Sequence, residues 1–174
     1  MVVLLIVVGG LVTVTQILRG DDNQDRGERL YRVYASDLAN ITITQDDDEI
    51  SIVQIQGKWF IEDKDKGEIV PVDIGRWGGV PLLISGPVTQ KNLTDDVKDP
   101  KDLIDFGLEP PRSRINLTSY TGQNVEVLVG SESPGEDGYY AKVVGTEPLY
   151  VVHSSWVEVL LRLLTEPPYP PDEA

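Results

Sequence analysis

From Asp37 to Glu62 the chain reads DLANITITQDDDEISIVQIQGKWFIE, with Leu38, Ile41 and Ile43, then Ile50 and Ile52, then Trp59 and Ile61 at alternate or near-alternate positions. Period-two alternation places every second side chain on one face of a strand, so the pattern predicts half-buried strands. It is broken by Asp46 to Glu49 and again by Gln56-Gly57-Lys58, which predicts three consecutive antiparallel strands joined by tight turns. The second half repeats the style. Pro110 and Pro111 force extended backbone and launch a strand from Ser113 to Tyr120, Thr121-Gly122 turns the chain into residues 124–130, and Val125, Val127 and Val129 share a side. The loops SESPGEDG and GTEP then set off strands at 139–144 and 149–153, giving a four-strand meander.

Helical spacing is rarer. Ile74, Trp77, Val80, Leu83 and Ile84 have it, and Asp73 is placed to cap a helix, but Gly78, Gly79 and Pro81 break the run, so a short or broken helix is expected there. A short helical turn is expected near Pro100 to Phe106. From Ser155 the string SSWVEVLLRLLTEPP has Ser155 and Glu158 in a capping-box arrangement, with Trp156, Val159, Leu160, Leu163 and Leu164 on one face and Pro167 as a stop. This closing amphipathic helix is expected to cover the sheet; its sharper alternative is a membrane-surface or partner-binding helix. The tail PPYPPDEA has polyproline character and is read as a disordered end.

The N-terminal run Val2 to Leu18 is apolar except for Thr13, Thr15 and Gln16, and is just long enough to span a bilayer as a helix. It has neither the basic start nor the small-residue exit of a cleaved signal, which favours an uncleaved single-pass anchor over a buried strand or core helix. Arg19 is the only cation beside it, so charge does not set its orientation. The expected fold is therefore α+β and β-rich: an N-terminal transmembrane helix, antiparallel β-meanders, a short middle helix and a C-terminal amphipathic helix. The expected layout is an anchor at 1–20, a linker at 21–35, a β-rich soluble domain at 36–166 (or two lobes, 36–95 and 96–166), and a Pro-rich tail at 167–174.

Composition narrows the chemistry. The 174 residues carry 29 Asp and Glu against 15 Lys and Arg, a formal charge of −14, with one His and no Cys. No thiolate, disulfide, Fe–S cluster or covalent haem can be built, and one His makes a multi-histidine metal site hard to assemble. The acidic surface argues against nucleic acid as a partner and against anionic lipid headgroups. The Asn-x-Thr triplets at Asn40, Asn92 and Asn116 are read as chance matches in a Thr-rich β protein. Three acidic runs, Asp46 to Glu49, Asp21-Asn23-Asp25 with Gly27, and Asp63-Asp65 with Gly67, lack the glycine and glutamate positions of a calcium loop. His153 beside Ser154 and Ser155 evokes a hydrolase, but no Gly-x-Ser-x-Gly elbow is present and adjacent strand residues point to opposite faces. A structural His at a strand-to-helix corner is favoured. The glycine-bearing loops Gly75 to Gly79 and Gly130 to Gly138 lack the lysine of a phosphate cradle. No catalytic, cofactor-binding or metal-binding residue is assigned, and no cofactor is expected.

Four strings carry a family resemblance: GKWFIED at Gly57 to Asp63, DFGLEPPRSRINL at Asp105 to Leu117, VEVLVG at Val125 to Gly130, and GYYAKVVGTEPLYVV at Gly138 to Val152. In combination they resemble the bacterial domain of unknown function 4340, met as an N-terminally anchored extracytoplasmic protein. The resemblance implies a soluble domain on the periplasmic side of the bacterial cell membrane and an accessory role near membrane transport machinery. Trp59, Gly107, Pro110, Pro111, Tyr139 and Tyr140 within these strings read as framework residues: a core strand position, a left-handed turn, a strand-start clamp and strand faces. The functional expectation is a non-catalytic accessory or scaffolding subunit of a transporter-associated or energy-transducing electron-transfer assembly. Its partners would be integral membrane subunits contacted through the anchor and the soluble domain. The alternative is an extracytoplasmic ligand- or cation-binding domain, or a hydrolase, which would require Asp46 to Glu49, Asp95, Asp96 and Asp137 to converge.

Overall fold

The computed structural model describes residues 27–63, 66–96, 102–135 and 137–171. The expected anchor at 1–20 lies outside the described residues; among those described, no helix is long and apolar enough to cross a membrane. The fold is β-rich, as the alternation predicts. Nine strands form one sheet in the order β4-β3-β2-β1-β6-β7-β8-β9-β5, every neighbouring pair antiparallel.

The strands are β1 (Leu38–Gln45), β2 (Asp48–Ile55), β3 (Lys58–Asp63), β4 (Glu68–Pro71), β5 (Thr89–Asn92), β6 (Ser113–Ser119), β7 (Asn124–Glu132), β8 (Gly138–Val143) and β9 (Leu149–His153). Two of them go beyond the sequence reading. β4 is a four-residue edge strand ending in Pro71, and β5, whose TQKN sequence carries no apolar alternation, is held by pairing with β9. The acidic hairpin is tighter than expected, since Gln45 pairs with Asp48 and only Asp46 and Asp47 form the turn.

The sheet is built from two similar units. In the first, β1 to β4 form a meander followed by two single-turn helices, α1 (Ile74–Trp77) and α2 (Val80–Leu83). In the second, β6 to β9 form a meander followed by the twelve-residue α4 (Ser154–Thr165). The units join antiparallel at the β1–β6 seam, where Thr42 faces Asn116 and the flanking strings NITIT and RINLT align in opposite directions. The boundary between the two expected lobes, at residue 95, falls in the crossover between the units, after β5. That crossover holds a 3-10 turn (Thr94–Asp96) and the one-turn α3 (Asp102–Asp105).

One face of the sheet carries the main core. Ile41, Ile43, Ile52, Ile115, Leu117, Val127 and Val129 point into it from the central strands, and α4 covers it with Trp156, Val157, Leu160 and Leu163. Each such aliphatic side chain contributes roughly 1.5–3 kcal/mol on burial. α4 packs on β1 and β2 of the first unit as well as β8 and β9 of its own, so it ties the units together. Two details of this helix differ from the sequence reading. It starts at Ser154, with His153 and not Ser155 as N-cap, and its buried face is turned to include Val157, leaving Val159 partly exposed. The tail also departs from the expected disordered end: the Pro168 carbonyl accepts from Asp73 N at 2.8 Å, Pro168 is buried and Tyr169 packs on the core.

The opposite face is covered only over the second unit. Leu93 and Leu108 bury Leu149 and Val151 there, and Leu103, Phe106, Leu128 and Tyr140 close the patch. Residues 149–152 of β9 are consequently buried without a break, as expected of a strand covered on both sides. Over the first unit this face has no such cover: Asn40, Thr42, Ser51 and Glu62 are linked by hydrogen bonds of 2.5–3.2 Å, beside half-buried Val53 and Phe60 and exposed Ile55 and Ile69.

Candidate functional site

Three places gather polar or exposed apolar side chains. The first is the start of α4. His153 is extended (φ −62°, ψ 139°), which turns the chain from β9 into the helix and brings Ser155 back over the imidazole. The Nδ1 atom of His153 accepts from Ser155 N at 3.2 Å and lies 2.9 Å from Ser155 Oγ, while Nε2 lies 3.5 Å from an Asp137 carboxylate oxygen. The serine that meets His153 is Ser155, two residues on, and not the adjacent Ser154, and the strand ends at His153. Their arrangement is nonetheless a helix cap. The single Nδ1 lone pair already serves the Ser155 amide, which leaves the ring proton on Nε2 facing Asp137. In a hydrolytic triad the opposite nitrogen faces the serine. The His153 and Asp137 side chains are about half and three-quarters exposed, so water reaches both groups.

Second come the carboxylates, which the alternative reading needed to converge. They separate instead. Asp47, Asp48, Glu49, Glu62 and Asp63 line a cleft of about 330 Å³ at the β1–β2 turn, beside Tyr169 of the tail. Asp137 lies with Glu132 and Glu158 around another cleft of about 160 Å³ near Tyr139. Asp95 and Asp96 belong to the 3-10 turn after β5. Among the described residues no group of three or more His, Asp or Glu side chains is placed to hold a metal ion. Burial pushes the Tyr139 phenol above its ordinary range, helped by its hydrogen bond to Glu132 and opposed by the Arg112 guanidinium over its ring.

The third place is the outer side of the helical layer. The strap from Arg29 to Tyr34 crosses residues 85–88: Leu30 N donates to Pro87 O, Val33 N donates to Ser85 O, and Arg29 Nη1 donates to Gly86 O. Gly86 (φ +142°) is needed for this crossing, since a Cβ there would sit 2.1 Å from Tyr31 O. Tyr31 of the strap points inward and is partly buried against the core, its hydroxyl donating to Ile84 O at 2.6 Å and its ring 6.5 Å from Trp156, and desolvation raises its phenol far above the usual range. The strap thus packs beside α2, Tyr34 and Leu82 line one cleft, and α1 leads into α2 through Gly78-Gly79; we call this layer the ridge. Leu82, Ile74 and Tyr34 on its elements are the three most exposed large apolar side chains among the described residues, at 75%, 70% and 68%.

Arginines surround these side chains. Arg29, Arg32, Tyr34 and Leu82 line a cleft of about 330 Å³ that has no carboxylate in its wall. On the other side of α2, Arg76 and Arg162 line a second cleft of about 280 Å³ with Val80, Val159 and Glu166. Arg76 Nη2 donates to the Glu166 carbonyl at 3.0 Å, and Asp73 is occupied as the α1 cap by Gly75 N at 2.8 Å. In a chain of formal charge −14, the cleft between Arg29, Arg32, Tyr34 and Leu82 is basic and partly apolar, while Asp73 and Glu166 stand beside Arg76. The sequence placed Ile74 among apolar residues at helical spacing in a short or broken helix, with no role attached to the arginines. The available signal was Gly78-Gly79-Pro81: a helix broken there cannot keep one continuous buried face, so some of its apolar residues must face outward.

Of the three places, only the His153 cap with its Asp137 neighbour lies in the stretch that matches a family; the ridge and the cleft at the β1–β2 turn do not. Residues 89–165 match the family model of a domain of unknown function, DUF4340. The chain resembles that family over less than half of its length, and the matching stretch runs from β5 to the last turn of α4, which is the second unit with its crossover. Three of the four strings that carried the resemblance lie inside the DUF4340 stretch; Gly57 to Asp63 lies in the first unit, outside it. No curated protein and no solved structure matches the chain. Within the DUF4340 stretch the framework readings are seen directly. Gly107 is left-handed (φ +66°), Tyr139 is buried, and Tyr140, on the opposite face of β8, is half-buried and meets Phe106 edge-on with ring centroids 4.7 Å apart.

Proposed function

We propose that the protein is a membrane-anchored, non-catalytic accessory subunit of a larger bacterial membrane assembly, tethered by residues 2–18 with its β-rich domain on the extracytoplasmic side. The observation that carries this reading is the ridge. A domain whose most exposed apolar side chains gather on one layer among arginines has a surface suited to contact, since such residues are costly to leave in water. The ridge also lies close to the tether: the strap begins at Arg29, and the eight residues 19–26 that precede the described chain span at most roughly 30 Å. The cap geometry at His153 and the separated carboxylates support a contact role over a chemical one. Within this reading the partners are integral membrane subunits, of a transporter-associated or an electron-transfer assembly.

The anchoring is tested by alkaline carbonate extraction of native membranes followed by protease treatment of spheroplasts. The expected result is a chain that stays in the membrane pellet and is cut in the domain by external protease. Release into the supernatant would refute the anchor, and full protection of the domain would refute its outward placement.

A further inference from the structure

We infer that the anchored domain stands upright, with the end of the sheet that carries the β2–β3, β6–β7 and β8–β9 turns toward the bilayer and the opposite end away from it. The inference rests on the anchored reading and adds to it the surface that the domain presents to the membrane. Every neighbouring pair of strands is antiparallel, so the turns fall alternately at two ends of the sheet. The β1–β2, β3–β4 and β7–β8 turns share one end. The other three share the second end with the start of β1 and the end of β5, where Leu38 pairs with Ser119 and Asn92 with Tyr150.

The two ends differ in charge. The first gathers the run Asp46 to Glu49 with Asp63, Glu68, Glu132 and Asp137, against Lys66 and Arg112 on the same turns and strand ends. At the second end Asp37, Asp95, Asp96 and Glu147 stand against Lys58, Lys91 and Lys142, and exposed Ile55, Tyr120 and Val144 adjoin the three turns. An anionic bilayer therefore repels the first end more strongly, an effect that acts within a Debye length, roughly 8 Å at physiological salt. Asp21, Asp22 and Asp25 lie in the tether and approach the membrane whichever end leads, so they do not discriminate between the ends.

The strap sets the same direction. Leu30 N donates to Pro87 O and Thr89 N donates to Glu28 O, which aligns the strap antiparallel to residues 87–89. Traced back from Leu30 to Gly27, the chain runs beside β5 toward Asn92, and so toward the second end. Glu28 holds it there: its carboxylate accepts from the Tyr150 hydroxyl at 2.7 Å and from Asn92 Nδ2 at 3.2 Å, and its carbonyl accepts from Thr89 Oγ1 at 2.9 Å. An upright domain lets the tether continue in that direction to the bilayer. An inverted one would make it reverse at Gly27 and pass back along β5 toward the acidic end.

The test uses the full chain, which has no native cysteine, with a donor fluorophore on Gln123→Cys in the β6–β7 turn or on Asp47→Cys in the β1–β2 turn, both exposed positions. Each labelled chain is placed in nanodiscs of equal parts phosphatidylcholine and phosphatidylglycerol that carry an acceptor dye on the headgroups. Strands of eight and nine residues separate the two ends by roughly 25–30 Å, so energy transfer from position 123 should exceed that from position 47 at least about threefold. The ratio should fall toward one when a flexible insert of about twenty Gly and Ser residues between Arg26 and Gly27 frees the strap from the anchor and high salt screens the charges. Equal transfer from a chain that stays in the discs, or greater transfer from position 47, would overturn the stance and leave the anchor intact. A ratio unchanged by insertion and salt together would overturn it too, since neither strap nor charge would then set the direction. A chain that leaves the discs refutes the anchored reading and this inference with it.

Discussion

The two units share a strand plan and differ in what covers them. In the first, β1 alternates buried Ile41 and Ile43 with half-exposed Thr42 and Thr44, and its outward face stays open. In the second, Leu149 to Val152 are buried on both sides of β9 because the crossover returns over them through Leu93 and Leu108. The helices differ in the same sense: the first unit has two single turns interrupted at Gly78-Gly79, the second one regular amphipathic helix. Identical topology therefore supports one unit closed on both faces and another that leaves an exposed, arginine-flanked ridge. The divergence lies in the crossover and the broken helix, and only the closed unit, with its crossover, falls in the DUF4340 match.

The largest effect should come from opening the second core. Leu149→Ala removes a fully buried side chain and should cost about 2–5 kcal/mol by urea unfolding, while Thr44→Ala on the open face of the first unit should stay within about 0.5 kcal/mol. Comparable losses at both sites would erase the distinction between the units. The two helix-borne tryptophans sharpen it further. Trp156 Nε1 donates to Leu83 O at 3.2 Å, whereas the buried Trp77 Nε1 has no acceptor and its ring packs on Trp59 at 5.3 Å. Trp156→Phe strands a carbonyl and Trp77→Phe removes an unsatisfied donor, so the first should be less stable than the second by about 1 kcal/mol.

Smaller effects address the broken helix. Asp73→Ala removes the α1 cap and should cost about 1 kcal/mol. Gly79 has α-region backbone (φ −90°, ψ −17°) and open space at its Cβ, so Gly79→Ala should stabilise by roughly 0.4–1 kcal/mol through the unfolded chain. A pH titration of the urea midpoint reads the layer beneath. Burial, with a hydrogen bond to Glu28, raises Tyr150 to about 12, so the neutral phenol is the folded form and its contribution is complete below pH 10. Stability should then fall as pH climbs from about 10 through 12, less steeply in Tyr150→Phe, with Tyr31 and Tyr139, whose phenols are also raised, contributing to the slope that remains.

The apolar alternation made most strands legible, because Ile41, Ile43, Ile50, Ile52, Val125, Val127 and Val129 announce a buried face by spacing alone. β5 was invisible for the converse reason: its partner β9 supplies the hydrogen bonds and TQKN has no face to bury. The start of α4 was misplaced by one residue because an imidazole nitrogen took the capping role expected of a hydroxyl. The ridge was least legible of all. Arg29 and Arg32 are far from Arg76 and Arg162 in sequence, and only the strap across residues 85–88 brings them to one layer.

The proposed accessory role is tested most directly by purifying the native chain from membranes in mild detergent and weighing it under native conditions. The account predicts a complex in which the chain co-purifies with at least one integral membrane protein in fixed stoichiometry. A lone monomer, with no partner at any detergent concentration that keeps it soluble, would contradict it.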